Sequence, residues 1–167
     1  MAPTTSTILT MALGDALAVA LMEQRDFKPE DFKVLHPGGN LGLQMLTVSQ
    51  LMRNKSEMAI VKDDFTMSAV VSCMTQSGFG VAILVDENGI LSGIITDGDL
   101  RRNIDDILSL SPRDIATLNP TSVQPTDLVS VALEKMEKSK VYAIVVIEDD
   151  KPIGLLRMHD VLRSGIK

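Results

Sequence analysis

Apolar positions recur with helical spacing at the start of the chain. Leucines fall on every fourth position from Leu9 to Leu21, with alanines beside them, which predicts a helix from Thr4 to about Arg25. Further apolar residues widen this stripe beyond that of a surface helix, so the helix is expected to pack on more than one side. The pattern indicates that the chain begins inside a domain.

A polar, turn-rich stretch, "DFKPEDFKVLHPGGNLG", follows at residues 26–42 and predicts a loop. Beyond it the pattern changes to short branched-aliphatic runs that alternate with helical segments. We place a domain boundary near residues 46–48, where this change occurs.

The second part of the chain contains an internal repeat. "GIITDGDLRR" (Gly93–Arg102) returns as "GLLRMHDVLR" (Gly154–Arg163), 61 positions later, and Val81–Val85 falls on Tyr142–Val146 at the same offset. Each copy reads as a lead-in strand, a helix, two strands joined by a tight turn, and a second helix. The lead-in strands are predicted at residues 59–61 and 122–124. Two such β-α-β-β-α units are expected to pack together, because neither can bury both faces alone.

Composition narrows the classes of partner. The chain has 167 residues, 45% of them apolar and only 3% aromatic, with a net charge of −6. An acidic chain with few aromatic rings is a poor partner for nucleic acid. A small anionic ligand held by a few local donors remains compatible with this composition.

The number of cysteines and the N-terminal segment indicate the cellular compartment of the protein. The single cysteine, Cys73, excludes an internal disulfide framework and fits a reducing compartment. The apolar N-terminal segment lacks a basic leader region, contains Asp15, and is expected to be too short to cross a bilayer. We therefore expect a cytoplasmic protein without a membrane span.

The turn of the first copy joins a strand to a helix at Thr96, Asp97 and Asp99. Thr96 and Asp99 have the spacing of a capping box, which gives them a purely structural role. A helix N-terminus also presents unpaired amides to an anion, and an aspartate there accepts two hydrogen bonds from a ribose diol. Both interpretations stay open at this point.

The turn of the second copy carries different polar residues: Arg157, Met158, His159 and Asp160. Arginine at the cap position lacks the side-chain acceptor that caps a helix, at a cost of about 1 kcal/mol. It supplies instead a forked cation that suits phosphate or carboxylate. The turn is either a solvated surface feature or the anion-binding half of a site. Lys140 and Tyr142 are candidates for the same cleft, or are simple surface residues.

Metal binding has little support in the sequence. His36 and His159 belong to different segments, Cys73 lies on the apolar face of a predicted helix, and the acidic turns are too short for a calcium loop. We expect no metal site.

The repeat resembles the cystathionine-β-synthase (CBS) domain over residues 47–167. Gly93 to Asp99 matches the family hallmark in full, whereas the second copy keeps Gly154 and Asp160 but has Arg157 in place of threonine. The resemblance implies an α/β (α+β) fold in which two CBS units dock sheet to sheet. It also implies that Asp99 and Asp160 hold ribose hydroxyls. Because the two turns differ, we expect one ligand per pair.

Residues 2–23 and 32–42 resemble the closing segment of a sugar isomerase (SIS) domain. This segment followed by a CBS pair is similar to the arrangement in bacterial D-arabinose 5-phosphate isomerases. The implied division is an SIS remnant at 1–46, a first CBS domain at 47–106 and a second at 107–167. The chain therefore resembles a C-terminal portion of such an enzyme.

The resemblance implies a regulatory function. The pair would sense a nucleotide-type effector, CMP-Kdo or an adenine nucleotide, for an isomerase that interconverts ribulose 5-phosphate and arabinose 5-phosphate in lipopolysaccharide synthesis. No cofactor is expected. His36 is implied in proton transfer in the complete enzyme, while this chain alone, without phosphate-binding loops, is expected to be inactive. The alternative is a ligand-free module that assembles a homodimer or homotetramer with the SIS domain.

Overall fold

The computed structural model describes residues 4–28, 31 and 45–164. The chain forms two compact units, Met1–Met45 and Leu46–Lys167. The predicted loop lies largely outside the described residues, and so does His36. The family-based domain boundaries stay a prediction.

In the first unit, helix α1 spans Thr4–Gln24, as the leucine spacing predicts, and none of its residues is buried. The 21 residues reach about 31 Å at about 1.5 Å per residue, close to the thickness of a bilayer core. By length and composition the helix is able to cross a membrane, with a mean hydropathy of 1.6. The expectation that this segment is too short was wrong, although Asp15 lies within it.

The second unit contains short helices and two sheets. The helices are α2 (Val48–Leu51), α3 (Met67–Ser77), α4 (Asp97–Arg102), α5 (Pro112–Ile115), α6 (Val129–Ser139) and α7 (Met158–Arg163), with a 3-10 turn at Lys55–Glu57. The strands are β1 (Arg53–Asn54), β2 (Ala59–Lys62), β3 (Val81–Val85), β4 (Leu91–Thr96), β5 (Thr117–Leu118), β6 (Ser122–Val123), β7 (Ala143–Glu148) and β8 (Lys151–Arg157). The predicted β-α-β-β-α order of each copy is confirmed.

Each repeat builds a four-stranded sheet, in the orders β2-β3-β4-β5 and β1-β8-β7-β6. The lead-in strands β2 and β6 pair in parallel with β3 and β7, as strands that flank a crossover helix do. The edge strands are exchanged between the repeats. Strand β1 precedes the first repeat but pairs with β8 of the second, and β5 directly precedes the second repeat but pairs with β4 of the first.

Gly154 and Gly93 explain why these edge strands can approach so closely. A Cβ at Gly154 would stand 2.6 Å from Met52 Sδ and 2.9 Å from the Arg53 carbonyl oxygen. At Gly93 it would stand 3.1 Å from Ala116 Cβ. The glycine that opens each copy of the motif therefore makes room for the residues of the exchanged strand.

The two sheets pack against each other. One core cluster joins Ile83 and Ile94 of the first sheet to Val145 and Leu155 of the second. A second cluster lies between the first sheet and α3, whose Met67 and other apolar residues are buried. Sheet-to-sheet packing, expected from the resemblance, is confirmed. It places the two strand–turn–helix junctions near one common cleft.

Candidate ligand cleft between the two turns

The first turn is a complete capping box. Asp99 Oδ2 accepts hydrogen bonds from the backbone N of Thr96 at 2.8 Å and from its Oγ1 at 2.6 Å, while Thr96 Oγ1 accepts from the Asp99 backbone N at 3.3 Å. Asp99 Oδ1 accepts from Arg102 of the same helix. The Asp99 residue is only 6% exposed, whereas the Arg102 side chain is 70% exposed. The carboxylate is thus fixed by its own turn and covered by a solvated arginine.

The second turn is built around an ion-pair cluster. Arg157 makes no side-chain cap bond to α7, and its Nε and Nη2 instead donate to the two Asp160 oxygens at 2.8 and 3.0 Å. Arg53 on β1 donates to the same two oxygens at 3.4 and 3.1 Å. The expected loss of the side-chain cap is confirmed.

These contacts change the acidity of Asp160. Hydrogen bonds from Arg157, and then from Arg53, lower the pKa of Asp160 from 3.8 to about 2, against the opposing effect of burial. The Asp160 bond in turn raises the pKa of Arg53. The cluster is therefore charged over the whole physiological range.

Arg157 also covers an aromatic ring. Its guanidinium carbon lies 4.5 Å from the centroid of Phe79, a cation–π distance. Arg157 is thereby held from two sides, by the Asp160 carboxylate and by Phe79.

A cleft of about 970 Å³ lies between the two turns. This volume is at the upper end of the range of about 300–1,000 Å³ that is typical of small-molecule sites. Eight of the predicted site residues line it: Thr96, Asp97, Asp99, Lys140, Tyr142, Arg157, Met158 and His159. Asp160 is not among the residues that line it, and its oxygens carry four arginine bonds. Ribose binding at Asp160 stays a prediction that would require these bonds to break.

The cleft differs in charge from the rest of the chain. Four cationic side chains line it against two carboxylates: Arg101, Arg102, Lys140 and Arg157, with Asp97 and Asp99. The whole chain, by contrast, carries a net charge of −6. A cationic lining on an acidic protein favours a small anion at this place.

Lys140 and Tyr142 enter the cleft from the end of α6. Lys140 ends that helix in a left-handed conformation, with a φ of 55°. The backbone oxygen of Tyr142 accepts from the Met158 N at 2.9 Å, which ties this segment to the second turn, and the Tyr142 residue is 81% exposed. Its ring is therefore available to a ligand.

Several lining residues that were not predicted from the sequence lie on and after β5, and Arg101 and Arg102 of α4 were not predicted either. Thr117, Asn119 and Thr121 line the cleft beside the first turn. Thr121 Oγ1 lies 3.2 Å from Ser139 Oγ, which links this segment to the end of α6. The turn-forming "LNPTS" marks this region as a loop, but it gives no sign that β5 joins the first repeat's sheet.

Within the described residues, no group of three or more His, Cys, Asp or Glu side chains is placed to hold a metal ion. The expectation that the protein has no metal site stays a prediction. Cys73 lies partly buried against the second core cluster, between the first sheet and α3, as its apolar helix position indicates.

The CBS domain model matches residues 48–106 and 113–167 of the chain. Arabinose 5-phosphate isomerase KdsD of Pseudomonas aeruginosa is 42% identical over 99% of the chain, and that of Escherichia coli K12 is 39% identical over 99%. The match covers 52% of each of these relatives, so the chain spans about half the length of the curated proteins that it resembles.

Solved structures agree in fold. CBSX2 in complex with AMP has a TM-score of 0.62 and 21% identity, covering 71% of this chain and 95% of that one. The CBS pair of MJ0100, in complex with 5-methylthioadenosine and S-adenosyl-L-methionine, has a TM-score of 0.64 and 19% identity, covering 71% and 98%. At this level of identity the likeness shows the fold alone.

Proposed function

The chain belongs to the CBS domain family, and on this premise we propose that its repeat pair is a sensor of an anionic nucleotide. One effector molecule binds in the cleft between the two turns, and its occupancy regulates a sugar isomerase domain. The observation that carries the proposal is the cationic lining of a ligand-sized cleft in an acidic chain.

The cleft offers a partner for each part of a nucleotide. The Asp99 carboxylate accepts from ribose hydroxyls once the exposed Arg102 side chain swings aside. Arg101 and Lys140 attract the phosphate, and the exposed Tyr142 ring offers a face to the base. Arg157, whose Nε and Nη2 stay on Asp160, adds the positive charge of its guanidinium for a further acidic group.

The similarity to KdsD isomerases suggests which nucleotide to test first. CMP-Kdo combines cytidine, ribose and phosphate with a sugar carboxylate, so it has one more anionic group than CMP to place near Arg157. An adenine nucleotide is the alternative, because CBSX2 binds AMP and MJ0100 binds adenosine-containing ligands.

The regulated partner is an arabinose 5-phosphate isomerase domain in the cytoplasm, on the route to lipopolysaccharide. This step rests on the similarity to KdsD over 99% of the chain. The proton-transfer role of His36 belongs to that enzyme and stays a prediction. The 167-residue chain by itself is expected not to turn over arabinose 5-phosphate.

A thermal-unfolding screen tests the sensor function. The chain is heated with CMP-Kdo, CMP, AMP, ATP or arabinose 5-phosphate. A ligand at a hundred times its dissociation constant adds about 2.7 kcal/mol of stability, which raises the midpoint by several degrees. The absence of a shift with every nucleotide would refute the sensor.

Two matched variants locate the site. Asp114 forms with Ser111 the same capping box as Asp99 with Thr96, with bonds of 2.9 and 2.6 Å to its Oδ2, yet neither residue lines the cleft. Asp99→Asn is expected to weaken nucleotide binding at least tenfold, whereas Asp114→Asn leaves the dissociation constant within a factor of two. Equal effects of both variants would place the ligand elsewhere.

Exposed apolar side chains favour a second function as an oligomerisation module. Ile104 and Leu108 are exposed on the segment that follows α4. Isologous packing of two chains would cover such residues. Sedimentation of the chain with and without nucleotide distinguishes the two functions, because a pure assembly module associates without any ligand effect.

A further inference from the structure

We propose that Arg53 and Arg157 together close the second half of the cleft to a ribose by occupying Asp160. The protein therefore binds one nucleotide where its repeat would otherwise provide two equivalent half-sites. This inference rests on the proposed function. It assigns to Arg53, which lies outside the hallmark motif, control over the number of ligands bound.

The sheet register shows which residues are equivalent. On β1, Arg53 pairs with Leu155, and on β5, Thr117 pairs with Ile94. Leu155 and Ile94 are the residues that follow the glycine of each motif copy. Arg53 and Thr117 therefore hold the same position in the two half-sites, each delivered by an exchanged edge strand.

The same comparison applies at the cap. Arg157 in the second turn stands where Thr96 stands in the first. The second half-site thus has two arginines where the first has two threonines. Both arginines point at the aspartate of their own half-site, and each donates two hydrogen bonds to it.

The contacts of the two aspartates differ accordingly. The Asp160 side chain is 9% exposed, and its partners are fixed by a strand on one side and by the Phe79 ring on the other. Asp99 has an arginine too, but Arg102 comes from its own helix and is largely exposed. A ribose therefore displaces one side chain, 70% exposed, at Asp99, whereas at Asp160 it must displace two, which are 40% and 24% exposed.

The shape of the cleft agrees with this difference. The cleft reaches Asp99 and Thr117 in the first half but includes neither Asp160 nor Arg53 in the second. Of the second turn, Arg157, Met158 and His159 line the cleft. In the proposed complex, the second half supplies a cation to the ligand and no carboxylate.

Counting bound nucleotide per chain tests the proposal. Isothermal titration with CMP-Kdo, and separately with AMP, is expected to give one site in the unmodified chain. The double variant Arg53→Thr/Arg157→Thr copies the first half-site into the second and is expected to give two sites. Arg113→Thr removes an arginine that pairs with Asp63 and does not line the cleft, so it serves as the control and is expected to keep one site.

The outcomes separate this inference from the proposed function. No binding to the unmodified chain would refute the nucleotide sensor itself. Two sites in the unmodified chain, or one site in a folded double variant, would overturn the closing role of the arginines and leave the sensor standing. If the double variant does not fold, Arg53→Gln/Arg157→Gln, which removes both charges and keeps most of the side-chain length, replaces it, and one site in that folded variant would overturn the inference.

Discussion

The first and second turns occupy equivalent places in two copies of one sequence, yet they hold their aspartates by different means. In the first turn the Thr96 backbone and hydroxyl bind Asp99, and the helix is capped. In the second, arginines from β1 and from the cap position bind Asp160, and the side-chain cap is lost. The first arrangement leaves the aspartate beside the cleft, whereas the second uses the aspartate as an internal counter-ion.

The difference shows how two copies of one sequence form two unlike halves of one cleft. The apolar residues of the two copies build matching sheets, since sheet packing depends on where the branched side chains lie. The polar residues at the turns carry little of that core, so they can diverge without disturbing it. Arg53 and Arg157 are such changes, and they give the cleft one carboxylate half and one cationic half.

The largest expected effect on stability comes from filling the space between Gly154 and the exchanged strand β1. Gly154→Ala places a Cβ 2.9 Å from the Arg53 carbonyl oxygen, where the backbone has to move. We expect a loss of about 1–3 kcal/mol in the free energy of unfolding, measured by urea denaturation. The matched change Gly93→Ala meets Ala116 Cβ at 3.1 Å and is expected to cost less than half as much. Equal losses would contradict the tighter packing assigned to β1.

The second-largest expected effect is on the pH dependence of the unfolding free energy, and it comes from the ion pairs of Asp160. Because the folded-state pKa of Asp160 lies near 2, below its ordinary 3.8, its ion pairs stabilise the fold above about pH 4. That stabilisation, on the order of 2 kcal/mol, disappears as the pH falls through 2. In Asp160→Asn the unfolding free energy is expected to be lower at pH 5 and to change less between pH 4 and 2. An unchanged pH dependence in this variant would mean that the cluster contributes nothing.

The smallest effect concerns the cap of the first turn. Thr96→Ala removes the side chain that caps α4 and is expected to cost about 1 kcal/mol in unfolding free energy. Ser111→Ala removes the matching cap of α5 and is expected to cost a similar amount. The two variants should differ in nucleotide titration, where only Thr96→Ala weakens binding. Similar binding by both would remove Thr96 from the site.

Periodicity and the 61-residue repeat were sufficient to predict the long helices, the hairpin strands and the capping box at Thr96. These features depend on local spacing and on residues that follow one another in the chain. The two-residue strands β1 and β5 were not predicted, because two residues carry no periodicity and, unlike the equally short β6, neither was identified through the repeat. Each of these strands pairs with a strand that is distant in the sequence, β8 or β4, and this pairing is seen only in the folded chain.

The site residues divide in the same way. The turn residues were found because they belong to the motif, whereas Arg53, Thr117 and Asn119 arrive through the exchanged edges. Asp160 was predicted as a ribose acceptor from its motif position alone. Its partner Arg53 became visible only when β1 was placed beside β8, whereas Arg157 lies three residues before it in the same turn.

A crystal structure of the chain grown with CMP-Kdo, and of a parallel sample with AMP, tests the central claim most directly. We expect one nucleotide in the cleft, with its ribose hydroxyls on the Asp99 carboxylate and the bonds from Arg53 and Arg157 to Asp160 intact. A ribose bound at Asp160 with Arg53 displaced, or a cleft that stays empty with both nucleotides, would contradict it.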